Sequence, residues 1–459
     1  MIIVVYIPKI IKEDIGKILK IIKKIDIPGL TVSAPSSGAG KTTFTLGLLR
    51  VLKNNGVKVQ PYKNGPDYID PTFHECASGR KSYNLDTWAM NKEIINHNIS
   101  LAKDSDLIVN EGSMGLYDGV SLKGAMGYGS TAEVSKIFGW PIILVIDIAG
   151  QAQSAAATAF GFMNYQKIPF GGVILNNVGS LRHENLVKVG MKKHGIKVLG
   201  SLPRQNNISM PERHLGLVQA NEQKNLEEKI EGFANLVKNN TDISAIKKLA
   251  KSKSFLRNNL KESKPPGKII AIAKDEAFSF IYPHVIEKWK NQGSKIIPFS
   301  PLNNESPEEK VDFIWFPGGY PELHLEKISN ANKTKAVLKK LAKKVRIHGE
   351  CGGYMVLGKA IIDQKGKYHS MFGLLSLITS FEKRKLHLGY RLAKLKNEKN
   401  NFHNSKVLRG HEFHYSTIIQ QKDSELYEVF DANDIKVKET GSYKGNVSGT
   451  FFHFLSEYK

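Results

Sequence analysis

The stretch TVSAPSSGAGKTT, Thr31 to Thr43, decides the fold of the N-terminal half of the chain. It predicts a buried apolar strand at Leu30–Ala34, then a Gly/Ser loop, and then a helix that begins at Lys41. Backbone N–H groups of such a loop and the helix N-terminus form a concave site for phosphate. The lysine reaches the terminal phosphates, and the hydroxyl of Thr42 ligates Mg²⁺. Pro35 replaces the first glycine of the usual pattern, but both glycines beside the lysine are present. We therefore predict a nucleotide site.

Composition narrows the class of protein. A chain of 459 residues has room for two or three domains. The net charge of +23 is compatible with nucleic acid, an anionic surface or a polyanionic small substrate, but the lysines are scattered, so we expect no nucleic-acid partner. No apolar run is long enough for a membrane span, and we expect no membrane partner. The opening residues do not resemble a secretory signal, and two cysteines cannot form a disulfide framework, so we expect a cytoplasmic protein.

Apolar strands alternate with helical segments after Gly29, which is typical of a parallel α/β sheet. Ligands in such sheets bind beyond the carboxyl ends of the strands. After the last of these strands, Arg204 and Arg213 could hold phosphate or carboxylate, or make ordinary surface ion pairs. The predicted strands are Leu30–Ala34, Val57–Tyr62, Leu107–Asn110, Ile142–Asp147, Val173–Asn176 and Val198–Leu202.

Four carboxylates follow two of these strands. Asp67 and Asp70 lie in KNGPDYIDPTFH after the second strand, and Glu111 and Asp118 lie in EGSMGLYDG after the third. Each could simply cap a loop. Together, at one end of a phosphate-binding sheet, they favour Mg²⁺ and substrate, because Mg²⁺ prefers oxygen ligands and shares them with phosphates.

The chain divides into four parts. Residues 1–28 have an Ile/Lys pattern that predicts an amphipathic helix of unknown role, and residues 29–240 form the nucleotide-binding unit. Residues 241–267 are polar and lysine-rich, as expected of a linker that contains a helical piece. Residues 268–459 begin a second α/β rhythm, with strands expected within Lys268–Asp275, Lys295–Pro301 and Asp312–Gly319 and a strand followed by a helix within Val345–Gly358.

The second candidate site is HGECGGYMVLG, which places Cys351 in a Gly-rich turn between a strand and a helix. A helix N-terminus lowers the pKa of a cysteine and favours the nucleophilic thiolate. The Gly352 N–H and an amide of the PGGY loop, for which we select Gly319, could form an oxyanion hole. The base must be a histidine from elsewhere, and the residues alone do not choose among His411, His414 and His453.

The motifs resemble those of the cobyrinic acid a,c-diamide synthases, the corrinoid-pathway amidotransferases, over nearly the whole chain from Gly29. They occur in the family's order: SSGAGKTTFTLGLLR, KNGPDYIDPTFH, NLDTW, EGSMGLYDG, LPR with PERHLGLV, FPGGYPELH, ECGGYM and RGHEFHYS. The resemblance implies two α/β domains. The first is a P-loop, parallel-sheet ATP-dependent ligase domain similar to dethiobiotin synthetase, and the second is a class I glutamine amidotransferase domain of the cobyric-acid type.

For the C-terminal half, the resemblance implies that Cys351 attacks glutamine and releases ammonia. GTFFHFL matches the family's G-[ST]-Y-x-H motif, which selects His453 as the base. Phe451 stands where tyrosine is usual. Ordinary class I glutaminases have a glutamate two residues after the histidine, where this chain has Leu455, so Glu412 is a candidate substitute for orienting the base.

For the N-terminal half, the resemblance implies that a substrate carboxylate is phosphorylated and that ammonia then displaces phosphate. Mg²⁺ is expected near Thr42 and Glu111, and Asp67, Tyr68 and Asp118 match positions that handle substrate and intermediate. The expected ATP contacts are Ser37, Gly38, Gly40, Lys41, Thr42 and Thr43.

The resemblance therefore predicts amidation of the a- and c-side chains of cobyrinate, with a corrinoid polycarboxylate and glutamine as substrates and a homodimer as a candidate assembly. Nickel-sirohydrochlorin and hydrogenobyrinate are alternative macrocycles. Cobyric acid synthase, which amidates four other side chains, is less favoured because PDYIDP and PERHLGL suit the diamide group better. An alternative from another class is a binding or partitioning P-loop ATPase with a degenerate glutaminase domain. That alternative predicts a missing nucleophile or base, whereas Cys351 and His453 are both present.

Overall fold

The computed structural model describes residues 24–205, 212–213, 216–217, 219–252, 255–256, 264–396 and 405–458. The helix predicted within residues 1–28 falls mainly on residues 1–23, outside this described part. Among the described helices, none combines the length and the apolar character needed to cross a membrane.

The N-terminal half is built on a seven-stranded sheet in which every pair of neighbouring strands is parallel. The strand order is β4-β3-β5-β2-β6-β7-β8, so the P-loop strand β2 lies in the middle. All six predicted strands are present, and the three-residue β4 is an addition to them. Short strands β1, β9, β10 and β11 form two separate ribbons. The strands are β1 (Lys24–Ile25), β2 (Gly29–Ser33), β3 (Val59–Asn64), β4 (Tyr83–Leu85), β5 (Leu107–Glu111), β6 (Ile142–Asp147), β7 (Phe170–Val178), β8 (Val198–Pro203), β9 (Glu212–Arg213), β10 (Gly216–Leu217) and β11 (Phe255–Leu256).

The helices of this half include the one predicted to begin at Lys41. Gly40, the residue before it, has φ +96°, and a Cβ there would lie 2.3 Å from Asn176 Nδ2. Only glycine fits this position without strain, because it tolerates positive φ and has no side chain. The helices are α1 (Lys41–Asn54), α2 (Asp70–Ser78), α3 (Lys92–Ser100), α4 (Thr131–Phe138), α5 (Ser154–Asn164), α6 (Leu181–Lys193), a 3₁₀ turn (Ala220–Glu222), α7 (Leu226–Asn240) and α8 (Ile243–Leu249).

The C-terminal half contains a second seven-stranded sheet and two four-stranded sheets. Five strands of the large sheet are parallel, in the order β13-β12-β14-β15-β25, and two antiparallel strands extend it. The strands are β12 (Ile269–Ala273), β13 (Lys295–Phe299), β14 (Phe313–Phe316), β15 (Arg346–Glu350), β16 (Ala360–Ile362), β17 (Tyr368–Ser370), β18 (Ile378–Ser380), β19 (His387–Leu395), β20 (Val407–His414), β21 (Thr417–Gln420), β22 (Ser424–Glu425), β23 (Tyr427–Phe430), β24 (Ser442–Lys444), β25 (Val447–Thr450) and β26 (Phe452–Tyr458).

The helices of this half are few and short. The strand and the helix predicted within Val345–Gly358 are β15 and α12, and Cys351 joins them. The helices are α9 (Pro283–Asn291), 3₁₀ turns at Pro301–Asn303 and Pro321–Leu323, α10 (Leu325–Ser329), α11 (Asn332–Leu341) and α12 (Gly352–Leu357).

The two halves pack through one shared apolar core and several hydrogen bonds. Tyr390 stacks on Trp88 with 4.4 Å between ring centroids, and its hydroxyl donates to Asp86 Oδ2 at 2.7 Å. The guanidinium of Arg409 also lies over the Trp88 ring, 4.9 Å from its centroid. Tyr282 Oη donates to the carbonyl of Pro66 at 2.6 Å. These contacts bring the carboxyl ends of the N-terminal strands against β19 and β20.

Candidate active sites and the cavity between them

The P-loop presents its lysine and threonine at the carboxyl end of β2. Lys41 is buried and Nζ donates to the carbonyl of Ser36 at 3.0 Å. Burial, together with the charge of Lys63, lowers the pKa of Lys41 to about 8. Ser37 and Gly38 are exposed on the rim of the loop, and Thr42 is half-buried. The loop is therefore open to a ligand, and an anionic one would favour the charged form of the lysine.

A buried cluster of charges lies directly beside this loop. Lys63 Nζ is 2.5 Å from Asp70 Oδ2 and 3.1 Å from Glu111 Oε1. Thr42 Oγ1 donates to the same Glu111 oxygen at 2.8 Å, and His74 Nε2 is 2.7 Å from Oε2. Burial opposes the charge of Lys63, but the two carboxylates raise its pKa above the ordinary value. Although burial favours the neutral acid, Lys63 and hydrogen bonds from His74 and Thr42 lower the pKa of Glu111.

Sequence reasoning missed Lys63 and His74. Lys63 lies near the end of β3, and a lysine in a buried strand needs carboxylate partners. The sequence therefore indicated that Lys63 needs a carboxylate partner, and both Lys63 and His74 stand in the motif KNGPDYIDPTFH. The sequence could not identify the shared partner, because Glu111 is 48 residues away from Lys63 along the chain.

Asp67 and Asp118 each cap a loop and also line a cavity. Asp67 Oδ1 accepts from the backbone N–H of Ile69 at 2.7 Å, and Asp118 Oδ2 accepts from the N–H of Gly115 at 2.7 Å. Both line the cavity described below, as does Tyr68, whose ring is otherwise buried among aromatic side chains. Capping and substrate contact are therefore compatible functions of the two aspartates.

Of the two arginines of the basic loop, the structure describes the side chain of Arg204 alone, and it lies apart from this cluster. Arg204 is exposed, and its backbone N–H donates to the carbonyl of Val178 at 3.0 Å. It is not among the residues that line the cavity. The side chain of Arg213 belongs to the part of the chain that the structure does not describe.

Cys351 occupies a strained turn between β15 and α12. Its φ of 48° and ψ of −109° are unusual for a residue with a side chain, and such strain is typical of nucleophile turns. Its N–H donates to Thr450 O at 2.7 Å, and its Sγ lies 3.7 Å from the carbonyl oxygen of Phe413. The prediction that the helix N-terminus lowers the pKa of this thiol was wrong: burial and then the charge of Glu322 raise it, and they outweigh the hydrogen bond from the Gly352 N–H, which lowers it.

The two glycines proposed for the oxyanion hole are neighbours. A Cβ on Gly352 would lie 3.1 Å from the backbone N of Gly319 and 2.9 Å from its carbonyl oxygen. The backbones approach this closely because Gly352 has no side chain, whereas a Cβ on Gly319 would instead meet the backbone of Ala277 at 2.1 Å. Their role as oxyanion donors stays a prediction.

His453 lies on β26, opposite His411 of β20 in the antiparallel ladder. The imidazole is fully buried, and neither ring nitrogen has a hydrogen-bond partner among the described residues. Burial, and secondarily His411, lower its pKa to about 3. A Cβ on Gly318 would lie 2.1 Å from His453 Cε1, so the glycine of the PGGY loop makes room for the ring. The histidine is neutral and not hydrogen-bonded to the thiol in this conformation.

Glu412 does not orient His453, and that prediction was wrong. Its Oε2 accepts from Arg391 Nε at 2.5 Å, and its Oε1 is 2.8 Å from His414 Nε2. The ladder between β19 and β20 brings Arg391 to the same face as the glutamate. Leu455, where other glutaminases have a carboxylate, is buried.

A cavity of about 650 Å³ lies between the two halves, and we call it the interdomain cavity. One wall comes from the carboxylate loops of the N-terminal half and the other from β19 and β20. Because the Phe413 carbonyl also contacts the thiol, Cys351 lies directly behind the cavity wall. The polar and aromatic residues of the lining include Asp67, Tyr68, Asp70, Asp118, Tyr128, Tyr390, Arg391, His411, Phe413, Asp431 and Asn433.

Comparison with family models defines the class of protein. Residues 30–218 match the CobQ/CobB/MinD/ParA nucleotide binding domain, and residues 269–459 match the CobB/CobQ-like glutamine amidotransferase domain. The chain therefore joins a P-loop nucleotide-binding domain to a glutamine amidotransferase domain, as its motifs predict.

Whole-length relatives define the family. The hydrogenobyrinate a,c-diamide synthases of Rhodobacter capsulatus, Brucella anthropi and Mesorhizobium japonicum are 50%, 45% and 42% identical to this chain, each over 93% of it and 98% of the relative. The chain belongs to the family of a,c-diamide synthases that the motifs indicated, and it is a glutamine-dependent amidotransferase ligase of cobalamin biosynthesis. A non-catalytic partitioning ATPase is thereby set aside.

Proposed function

We propose that this protein converts the a- and c-side-chain carboxylates of a corrinoid polycarboxylate into amides, with ATP and glutamine as co-substrates. The interdomain cavity is the observation that carries this proposal. Asp67, Asp70 and Asp118 line one wall of the cavity, and Asp70 is ion-paired with the buried Lys63, which contacts Glu111 beside the P-loop. Phe413, whose carbonyl contacts the Cys351 thiol, lines the other wall.

In the glutaminase half, the Cys351 sulfur attacks the side-chain carbonyl carbon of glutamine. His453 accepts the thiol proton and returns a proton to the departing nitrogen, so that ammonia leaves and a γ-glutamyl thioester forms. Water then cleaves the thioester to glutamate and free thiol. The N–H groups of Gly319 and Gly352 stabilise the negative oxygen in both steps.

In the ligase half, a substrate carboxylate oxygen attacks the γ-phosphorus of ATP. The bond to the β-phosphate oxygen breaks, and an acyl phosphate and ADP form. Ammonia attacks the carbonyl carbon, inorganic phosphate leaves, and loss of a proton gives the amide. Lys41 and Lys63 supply positive charge where the transferred phosphoryl group gains negative charge, and Asp67, Tyr68 and Asp118 line the space for the carboxylate side chain.

We further propose Mg²⁺ as the metal of the nucleotide site. The Thr42 hydroxyl and a Glu111 carboxylate oxygen lie 2.8 Å apart, and both are oxygen donors of the kind that Mg²⁺ prefers. Thr42 and Glu111 would hold the ion, which when bound offsets the charge of the nucleotide phosphates. Ser37, Gly38, Gly40 and Thr43 complete the proposed ATP contacts.

The boundaries 29–240 and 268–459 for the two domains are part of this proposal, and the family models at 30–218 and 269–459 support them. Residues 241–267 would then link the domains, with α8 as the predicted helical piece. Both cysteines are free, which is compatible with the proposed cytoplasmic location. The homodimer stays a prediction.

For the macrocycle, we propose hydrogenobyrinate, because each of the three relatives compared is a hydrogenobyrinate a,c-diamide synthase. The test is a panel of hydrogenobyrinate, cobyrinate and nickel-sirohydrochlorin, each incubated with ATP, Mg²⁺ and glutamine and followed by mass spectrometry. We expect the mass change of two amides on hydrogenobyrinate at the highest rate. A clear preference for either metallated macrocycle would contradict the assignment, and failure of all three would contradict the proposed function.

The pKa of Lys41 predicts proton uptake on nucleotide binding. Because that pKa is lowered to about 8, about half of these side chains are neutral at pH 8. Phosphate anions beside the amine favour its charged form and raise the pKa, so binding takes up about half a proton at pH 8 and almost none from this group at pH 6. Calorimetric titration in two buffers with different ionisation enthalpies measures the uptake. Lys41→Arg, which is charged in both states, is expected to lose it, and uptake that persists in this variant would assign it to another group.

A further inference from the structure

Tyr68 reaches from the ligase half into the glutaminase half. It lies between Asp67 and Asp70 in the loop at the end of β3, but its ring stacks on Phe280 with 4.3 Å between centroids. The ring centroid is also 4.6 Å from that of His453. Tyr68 is 4% exposed, and its hydroxyl has no hydrogen-bond partner among the described residues. An aromatic ring from the substrate loop thus packs on the proposed base of the other site.

The loop that carries Tyr68 is held from both sides. The hydroxyl of Tyr282, in the glutaminase half, donates to the carbonyl of Pro66 at 2.6 Å. On the ligase side, Asp70 at the other end of the loop is joined to Lys63 at 2.5 Å. Lys63 in turn contacts Glu111, which accepts from Thr42 of the P-loop. A continuous chain of polar contacts therefore runs from the P-loop to the residues beside Tyr68.

With the Tyr68 ring packed on His453, the proposed base and the thiol are not hydrogen-bonded to each other. Neither nitrogen of His453 has a partner among the described residues, and the Cys351 thiol instead contacts the Phe413 carbonyl. Tyr68 and Phe413 both line the interdomain cavity, so they belong to the partition between the thiol and the space proposed for the substrate. A single movement of the Tyr68 ring would therefore both change the surroundings of His453 and open this partition.

We propose that Tyr68 is a positioning residue that couples glutamine hydrolysis to occupancy of the ligase site. This inference rests on the proposed function. Nucleotide and carboxylate entering beside Lys63 compete for its contacts with Asp70 and Glu111, and the loop then withdraws Tyr68 from His453. When the ligase site is empty, the Tyr68 ring stays packed on His453 and the partition between the thiol and the substrate space stays closed. Glutamine is then not hydrolysed without an acceptor for its nitrogen.

The test compares Tyr68→Ala with Tyr68→Phe, which keeps the ring and removes only the unpaired hydroxyl. Glutamate formation is measured with glutamine alone and with ATP, Mg²⁺ and hydrogenobyrinate added, and amide formation is measured from glutamine and from ammonium. We expect Tyr68→Ala to raise hydrolysis of glutamine alone by about 5-fold or more, the lower range of allosteric coupling, and to release more glutamate per amide. Tyr68→Phe keeps the ring against His453, so it should raise hydrolysis of glutamine alone far less than Tyr68→Ala does, whatever the loss of the hydroxyl does to amide formation.

A second variant keeps the test decisive if Tyr68→Ala does not fold. Tyr282→Phe removes only the hydrogen bond to Pro66, so it loosens the loop without opening a cavity, and it should shift the same ratio in the same direction by a smaller factor. An unchanged ratio in the folded variants, or loss of glutamine hydrolysis, would overturn the coupling. Hydrolysis of glutamine alone does not require a macrocycle, so it tests the role of Tyr68 even if no amide forms. Failure of the wild-type protein to form amide would instead count against the proposed function.

Discussion

Replacing Cys351 by serine is expected to abolish synthesis from glutamine while synthesis from free ammonia continues. The serine hydroxyl is a far poorer nucleophile than the thiolate, so the thioester does not form. We expect the glutamine-dependent rate to fall by at least about 10³-fold, as is usual when a nucleophile is removed. The volume of the site hardly changes, and the ligase residues around Lys41 and Lys63 are untouched. The ammonia-dependent rate should therefore stay within a factor of about two of the wild type.

The measurement is amide formation from glutamine and from ammonium, followed by mass spectrometry. Cys76→Ser is the matched control because Cys76, on α2, is the other free cysteine and no described active-site contact uses its side chain. Wild-type rates are expected for this control with both nitrogen sources. Loss of both activities in Cys351→Ser would show that Cys351 is structural.

Replacing Lys41 by alanine is expected to have the complementary effect. Lys41 is buried at the start of α1 and is the proposed partner of the terminal phosphates, so its removal leaves phosphoryl transfer without that charge. We expect amide formation from both glutamine and ammonium to fall by about 10²-fold or more, which is typical of the loss of one electrostatic contact to a transition state. The hydrolysis of glutamine alone should persist, because the residues around Cys351 are unchanged.

The control for this variant is Lys53→Ala, which removes an exposed lysine from the last turn of the same helix. It should leave all rates at wild-type values and calibrate the general effect of shortening a lysine on α1. Undiminished amide formation in Lys41→Ala would remove the P-loop from the mechanism. A parallel loss of glutamine hydrolysis would show that the substitution damages the whole protein.

Local patterns were enough to predict much of the fold. The start of α1 at Lys41 and the bounds of β6 at Ile142–Asp147 match the prediction, since a Gly-rich loop and a continuous apolar run specify their own structure. The position of Cys351 between a strand and a helix was readable for the same reason. Motif order then identified the family, which no single motif could do.

Features that depend on distant contacts were missed or predicted wrongly. Lys63 acquires its role from Glu111 on the neighbouring strand, and Glu412 is engaged by Arg391 because of the ladder between β19 and β20. The pKa of the Cys351 thiol depends on burial under residues from several elements, not on the adjacent helix alone. The contact between Tyr68 and His453 depends on how the two halves meet, which no local pattern records.

The central claim is that nitrogen released at Cys351 reaches the activated carboxylate through the interdomain cavity. The most direct measurement supplies amide-¹⁵N glutamine together with an equal concentration of unlabelled ammonium and determines the ¹⁵N content of the diamide product by mass spectrometry. Transfer through the cavity predicts that both new amides carry a ¹⁵N fraction well above that of the ammonium in bulk solution. A product whose label merely equals that of the bulk ammonium pool would contradict the account.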